Sequence, residues 1–231
     1  MPTISLASSK GGAGKSTTAV VLATELAARG ATVTLIDADP NQPVVRWSRK
    51  AGKPEGVIVI GGVTEETVSE VIDEAAGQTQ FVIVDLEGTA SVMVAYAMSR
   101  SDLVIIPMQG SELDGVEAAK VIGFIRRQEK AYKLSIPYAV LFTKTNPAVR
   151  PRTLKALEAD FLKQGIPVFS TALHERDAFR AVFSFGGGLA SLADKPVGGL
   201  KPAAENARAL MTEVVTRLDK QAAPAQAAEV A

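Results

Sequence analysis

The stretch KGGAGKST at residues 10–17 decides how the rest of the chain is read. Before it comes a short apolar run, ISLAS at 4–8. After it comes KSTTAVVLATELAAR at 15–29, with apolar positions at helical spacing and Gly30 placed to end the helix. A glycine-rich turn that leads from a buried strand into a helix is the layout of a phosphate-binding loop. Gly11, Gly12, Ala13 and Gly14 form the turn, and its glycines let backbone N–H groups point at phosphate oxygens. The N-terminus of the following helix adds its dipole. In such a loop Lys15 reaches the β- and γ-phosphates, the Ser16 hydroxyl ligates Mg²⁺, and Thr17 is placed against the α-phosphate. The ordinary pattern asks for glycine where this chain has Ser9, and the chain adds a second lysine, Lys10.

Working outward, the apolar runs TVTLI (32–36), VIVI (57–60), FVIVD (81–85), LVIIP (103–107), YAVLF (138–142) and IPVF (166–169) read as further strands. Helical patterns at 64–76, 112–130 and 151–164 lie between them, and a last helix is predicted over 202–220. Strands apolar on both faces that alternate with helices predict a doubly wound α/β fold, a mostly parallel sheet covered by helices on both faces. Ligands bind such sheets at the carboxyl ends of the strands, where the glycine-rich loop lies. Residues 186–200 read as loop. Residues 1–221 are expected to form a single domain, and the Ala-rich 222–231 a disordered tail.

Composition prunes the possible chemistry. The 231 residues include no cysteine, so thiolate metal sites, disulfides and cysteine nucleophiles are excluded. The lone His174 lies outside the phosphate motif and reads as a loop or surface residue. No run approaches ~18 apolar residues, and the N-terminus lacks the layout of a signal peptide. A cytoplasmic protein without a membrane partner is the expectation.

KGGAGKST, with both lysines in place, resembles the deviant Walker A box of the ParA/MinD family of P-loop ATPases. The resemblance implies ATP and Mg²⁺ as cofactors and ATP hydrolysis as the activity, slow and stimulated by a partner. It implies that Lys10 reaches across an ATP-sandwich homodimer to the partner's phosphates, offsetting charge as the γ-phosphate leaves. LIDADP at 35–40 is similar to the family's DxDP element; Asp39 is then the water-orienting residue and Asp37 lies near the Mg²⁺ shell. FVIVD resembles a Walker B strand, which makes Asp85 a Mg²⁺ ligand acting through water. Glu87 departs from the family's proline-containing loop, and Gly88 and Thr89 fall in the loop that senses hydrolysis. VIIPMQ at 104–109 matches the family's strand and turn. FTKTN at 142–146 lies where related ATPases meet adenine, so Thr143 and Asn146 join the ATP-binding set. LHERDAF at 173–179 is similar to VirC1-type small ParA proteins, which lack an N-terminal helix-turn-helix; no operator reading is implied. The tail QAAPAQAAEVA lacks the amphipathic face of membrane-binding members.

Charge is distributed unevenly. Residues 1–119 balance at −7 and residues 120–180 at +7, although the whole chain is formally neutral. The resemblance implies sequence-independent double-stranded DNA binding by the ATP dimer, which needs basic side chains that meet phosphates. Arg150, Arg152, Lys155, Lys163, Arg176, Arg180 and Lys201 are the candidates. The expected function is DNA partitioning on the nucleoid, with release when a ParB-like or adaptor protein stimulates hydrolysis. Positioning of another cargo (a T-DNA relaxosome, a chemoreceptor or a microcompartment), a MinD-like membrane ATPase and a metabolic P-loop ligase are the alternatives.

Overall fold

Alternate residues of a strand face opposite sides of a sheet. In strand β4 (Phe81–Leu86) both sides are apolar. Val82, Val84 and Leu86 join one core cluster, while Ile83 joins the other. The same division recurs in β5 (Leu103–Met108), where Val104 and Ile106 face one layer and Leu103 and Ile105 the other. Such strands must be covered on both faces, and they are.

The computed structural model describes residues 1–88 and 91–229; Thr89, expected in the hydrolysis-sensing loop, lies outside the described residues. With β1 (Thr3–Leu6), β2 (Val33–Ala38), β3 (Val57–Gly61), β6 (Tyr138–Thr145) and β7 (Leu173–His174), the strands form one sheet in the order β3-β2-β4-β1-β5-β6-β7. All its pairings are parallel. Helices α1 (Lys15–Ala27), α2 (Pro43–Ser48), α7 (Asp177–Phe185) and α8 (Leu200–Glu229) supply the core on one face. Helices α3 (Val68–Gln78), α4 (Val92–Ser99), α5 (Glu112–Tyr132) and α6 (Arg152–Lys163) supply it on the other. From β1 the chain builds β2 and β3 to one side, returns to β4, then crosses to β5. That reversal opens a crevice at the carboxyl end of β1, the switch point where doubly wound sheets take ligands.

The predicted fold class is what the structure has, with one strand misplaced. IPVF at 166–169 is not a strand, because Pro167 has no N–H to give and Val168 makes only a single bridge to Val140. The seventh strand is Leu173–His174 instead. Helices α2 and α4 fall where no helical pattern was read. The expected loop at 186–200 contains a 3₁₀ turn, Leu189–Leu192, and α8 continues past residue 220 to Glu229. Within that loop Gly187 (φ +67°) lies under Trp47, accepting the indole N–H at 3.0 Å, and a side chain there would strike the Gly52 carbonyl.

Glu213 anchors α8 to the segment that failed as a strand. Its carboxylate accepts the Ser170 and Thr171 amides, each at 2.8 Å, and pairs with Arg217 at 2.9 Å. Burial pushes its pKa up, but these donors outweigh burial and leave it below the ordinary value. A depressed carboxylate stabilises the fold fully above its unfolded pKa of about 4.3 and loses that contribution as pH falls through the lower folded value. Glu213→Gln is expected to cost about 1.5–3 kcal/mol in urea unfolding at pH 7, with the gap to the native protein closing in acid. A gap that does not change with pH would refute the charge-assisted role.

Candidate functional site

The P-loop is built as its residue types demand. Gly12 and Gly14 have φ of +74° and +100°, left-handed values that a side chain would oppose. Gly14 caps α1, and its carbonyl accepts both the Thr18 amide and the Thr18 hydroxyl. From β6, the buried Thr143 hydroxyl donates to the Ala13 carbonyl at 2.7 Å and also reaches the Met108 carbonyl. Thr143 therefore braces the loop. Lys15 is only 7% exposed, and Gly88 packs so near that a Cβ there would lie 3.8 Å from its Nζ. Ser16 and Thr17 follow, half-buried, in the first turn of α1.

Sheet register places the acids. Asp37 of β2 and Asp85 of β4 are direct cross-strand partners, and Leu6, which leads into the loop, is the partner of Asp85 on the other side. The two carboxylates differ sharply. Asp37 Oδ2 accepts the Val44 and Val45 amides, each at 2.8 Å, so Asp37 holds the N-terminus of α2. Burial raises its pKa against those donors. Asp85 is fully buried, and neither carboxylate oxygen has a hydrogen-bond partner. Burial pushes it up to about 7; the nearby Ser16 hydroxyl and Lys15 oppose the rise, and Asp37 and Asp39 reinforce it. An unpartnered buried carboxylate is costly unless something satisfies it. A hard dication beside Ser16 and Asp85 fits that requirement. Asp39 is half-buried at the end of β2, with Oδ1 taken by the Asn41 amide (2.8 Å) and side chain (3.0 Å).

At the leading edge of the loop, Lys10 Nζ lies 2.7 Å from Asp114 Oδ1 of α5, and its own side chain is 47% exposed. On the far side of the loop a cavity runs from Gly14, Thr17 and Thr143 to Leu173, His174, Arg176, Phe179 and Arg180. Arg176 Nε is buried there without a partner.

The model of the family described as "VirC1 protein" matches residues 1–216. The chain belongs to the VirC1 family of ParA-like ATPases. It is 41% identical over 218 residues to "Protein ParA" of Rhizobium radiobacter, covering 94% of this chain and 98% of that one. It is 32% identical to "Protein virC1" of Rhizobium rhizogenes, over 79% and 80% of the two chains. Among solved structures, a Cyanothece McdA(D38A)–ATP complex superposes with a TM-score of 0.73 at 16% identity, covering 94% and 96%. A Borrelia burgdorferi plasmid partition protein bound to AMPPNP gives 0.68 at 19%, covering 94% and 98%. At those identities the two structures speak to the fold, the ParA/MinD type of P-loop domain.

Within this family frame the seven basic candidates divide. Arg150 pairs with Glu158 at 2.7 Å, and Arg152 and Lys155 are exposed in the first turn of α6. Lys163 is exposed at the other end of α6, and Lys201 in the first turn of α8. Arg176 and Arg180 stand elsewhere. Arg176 is extended at the N-cap of α7 and Arg180 pairs with Glu175, so the two share a cavity wall beside the P-loop. Asn146 spends its side-chain oxygen on the Ala148 and Val149 amides and does not line that cavity. His174 is half-buried in β7 and hydrogen-bonds Thr145. Burial, followed by the charges of Arg176 and Arg150, holds its pKa below the ordinary value. The sequence reading missed Lys144, which sits at φ +51° where the β6–β7 register shifts and lines the clefts on both sides of the loop. Among the described residues no helix is long and apolar enough to cross a membrane.

Proposed function

We propose that this chain is a positioning ATPase that pairs through ATP, sits on DNA without sequence preference, and leaves when a ParB-like or adaptor partner speeds hydrolysis. The observation that carries the reading is the P-loop itself, with Lys15 buried over an unpartnered Asp85 and a second lysine exposed at its edge. Ser16 and Asp85 would hold Mg²⁺, which supplies charge neutralisation at the β- and γ-phosphate oxygens. Lys15 binds those same phosphates. Asp39 orients the attacking water with the oxygen left over from Asn41. Asp37 keeps α2 in place at the rim of the site, close to the ion without having to bind it directly. Thr143 acts by bracing the loop, and Arg176 contacts the nucleotide from the α7 side.

A relative named "Maintenance of carboxysome distribution protein A" from Halothiobacillus neapolitanus matches at 26% over 84% of this chain. It supports a second reading in which the cargo is a protein assembly carried on DNA.

Retention on DNA with ATP, ADP or no nucleotide, across a salt series, tests the function. The expected result is ATP-specific retention, indifferent to sequence, that falls steeply with salt. Turnover that needs a metabolite and ignores DNA would replace this reading with a P-loop ligase. The basic residues give a paired prediction. Neutralising Arg150, Arg152 and Lys155 together should leave ATP affinity unchanged and lower the salt slope by about one for each DNA phosphate no longer neutralised. Arg176→Ala should instead weaken ATP about tenfold in titration calorimetry. The opposite pattern would return Arg176 to the DNA surface.

A further inference from the structure

Lys10 is the residue that the proposed function sends across an interface, yet its ammonium is already engaged within its own chain. Nζ donates to Asp114 Oδ1 at 2.7 Å. The pair is lopsided, with the lysine side chain 47% exposed and the aspartate 6%. Asp114 cannot follow the lysine outward. Its Oδ2 accepts the Ser111 amide and hydroxyl, its half of the capping box that starts α5. One partner is therefore fixed and the other is free to swing.

Further contacts hold the same edge of the loop against α5 and the β5–α5 connection. The Ser9 hydroxyl reaches Glu117 Oε2 at 2.8 Å, and the Gln109 amide reaches the Gly12 carbonyl at 3.3 Å. Flanking Asp114 on α5, Leu113 and Val116 are 75% and 53% exposed, an uncovered apolar surface beside the ion pair. A second copy that landed there would bring its phosphates toward Lys10.

We propose that Asp114 is a positioning residue that parks Lys10 in the single chain, and that pairing of two copies breaks this ion pair in each. The proposal rests on the two-copy reading of Lys10. A bound triphosphate carries more negative charge than one carboxylate and wins the ammonium. A diphosphate offers less and leaves it parked. Release is not prohibitive, because the vacated carboxylate keeps both Ser111 donors and is never orphaned. Parking thus sets a threshold that only triphosphate-loaded partners cross.

Asp114→Asn tests this, because asparagine still accepts from Ser111 but removes the charge. In sedimentation velocity the ATP concentration for half-maximal dimerisation should fall about tenfold. ADP-loaded D114N should dimerise at protein concentrations where the native chain is monomeric. In a Lys10→Ala background the same change should do nothing. A D114N midpoint at or above the native one overturns the parking role, as does a shift that persists without Lys10. A native chain that stays monomeric at saturating ATP overturns the two-copy reading, and the parking role falls with it.

Discussion

Replacing Lys15 with alanine is expected to lower ATP affinity about a hundredfold or more, and with it all ATP-dependent behaviour. Lys15 is 7% exposed, so its ammonium is set in place before nucleotide arrives and faces little competing water. With ATP bound, Lys15 and the phosphates would form a buried charged contact, and truncating one member of such a pair costs about 2–5 kcal/mol, much of it from the charge left behind. Titration calorimetry with a non-hydrolysable ATP analogue measures the loss, and circular dichroism confirms that the variant is folded. A folded K15A that binds within a few-fold of native would disprove the phosphate role of Lys15.

Asp39→Ala should separate binding from turnover. The expected kcat falls by about 10²–10⁴-fold while ATP affinity changes little. The protein should then remain on DNA with ATP bound. Asp39 is suited to this because it is half-buried at the end of β2, with one oxygen fixed by Asn41. The neighbouring Asp37 serves as a contrast. Its carboxylate carries two amides of α2, so Asp37→Ala should cost stability first. If D39A hydrolysed ATP at the native rate, another group would be orienting the water.

The fold was legible because its strands are written as uninterrupted apolar runs, and those runs alternate with helical spacing. The errors fall where an apolar run carries no further information. IPVF carries its warning in Pro167, but LVIIP has Pro107 and still forms β5, so the proline alone did not decide; in the fold Phe169 packs into the core with the Arg217 guanidinium 4.4 Å from its ring. Helix α4, VMVAYAMS, is apolar almost throughout, so it has no periodicity to read. Helix α2 is only six residues long, starts from Gln42 at φ +47° and is held by Asp37 seven residues upstream, so Pro43 at its first position was the one local sign of it. At the candidate site, the glycines and Lys15 of the P-loop were picked out by spacing and Lys10 by the family resemblance. What Asp37, Thr143 and Arg176 touch depends on sheet register and on the α7 side of the loop. Their residue types invited simpler assignments.

Every strand runs the same way, so the P-loop, Asp37, Asp85, Thr143 and His174 all gather along one edge of the sheet. The opposite edge is where Met1 and Pro2 meet Ser101, Pro137 and the stretch of α8 around Asp219. Met1 is 71% exposed there. A fluorescent reporter joined ahead of Met1 would therefore ride on the side away from nucleotide and from the Lys10 edge. The same attachment at Gly186–Gly187, pressed against Lys50–Gly52, would pry the molecule open. The direction of the strands thus dictates how this ATPase can be watched in a living cell without being altered.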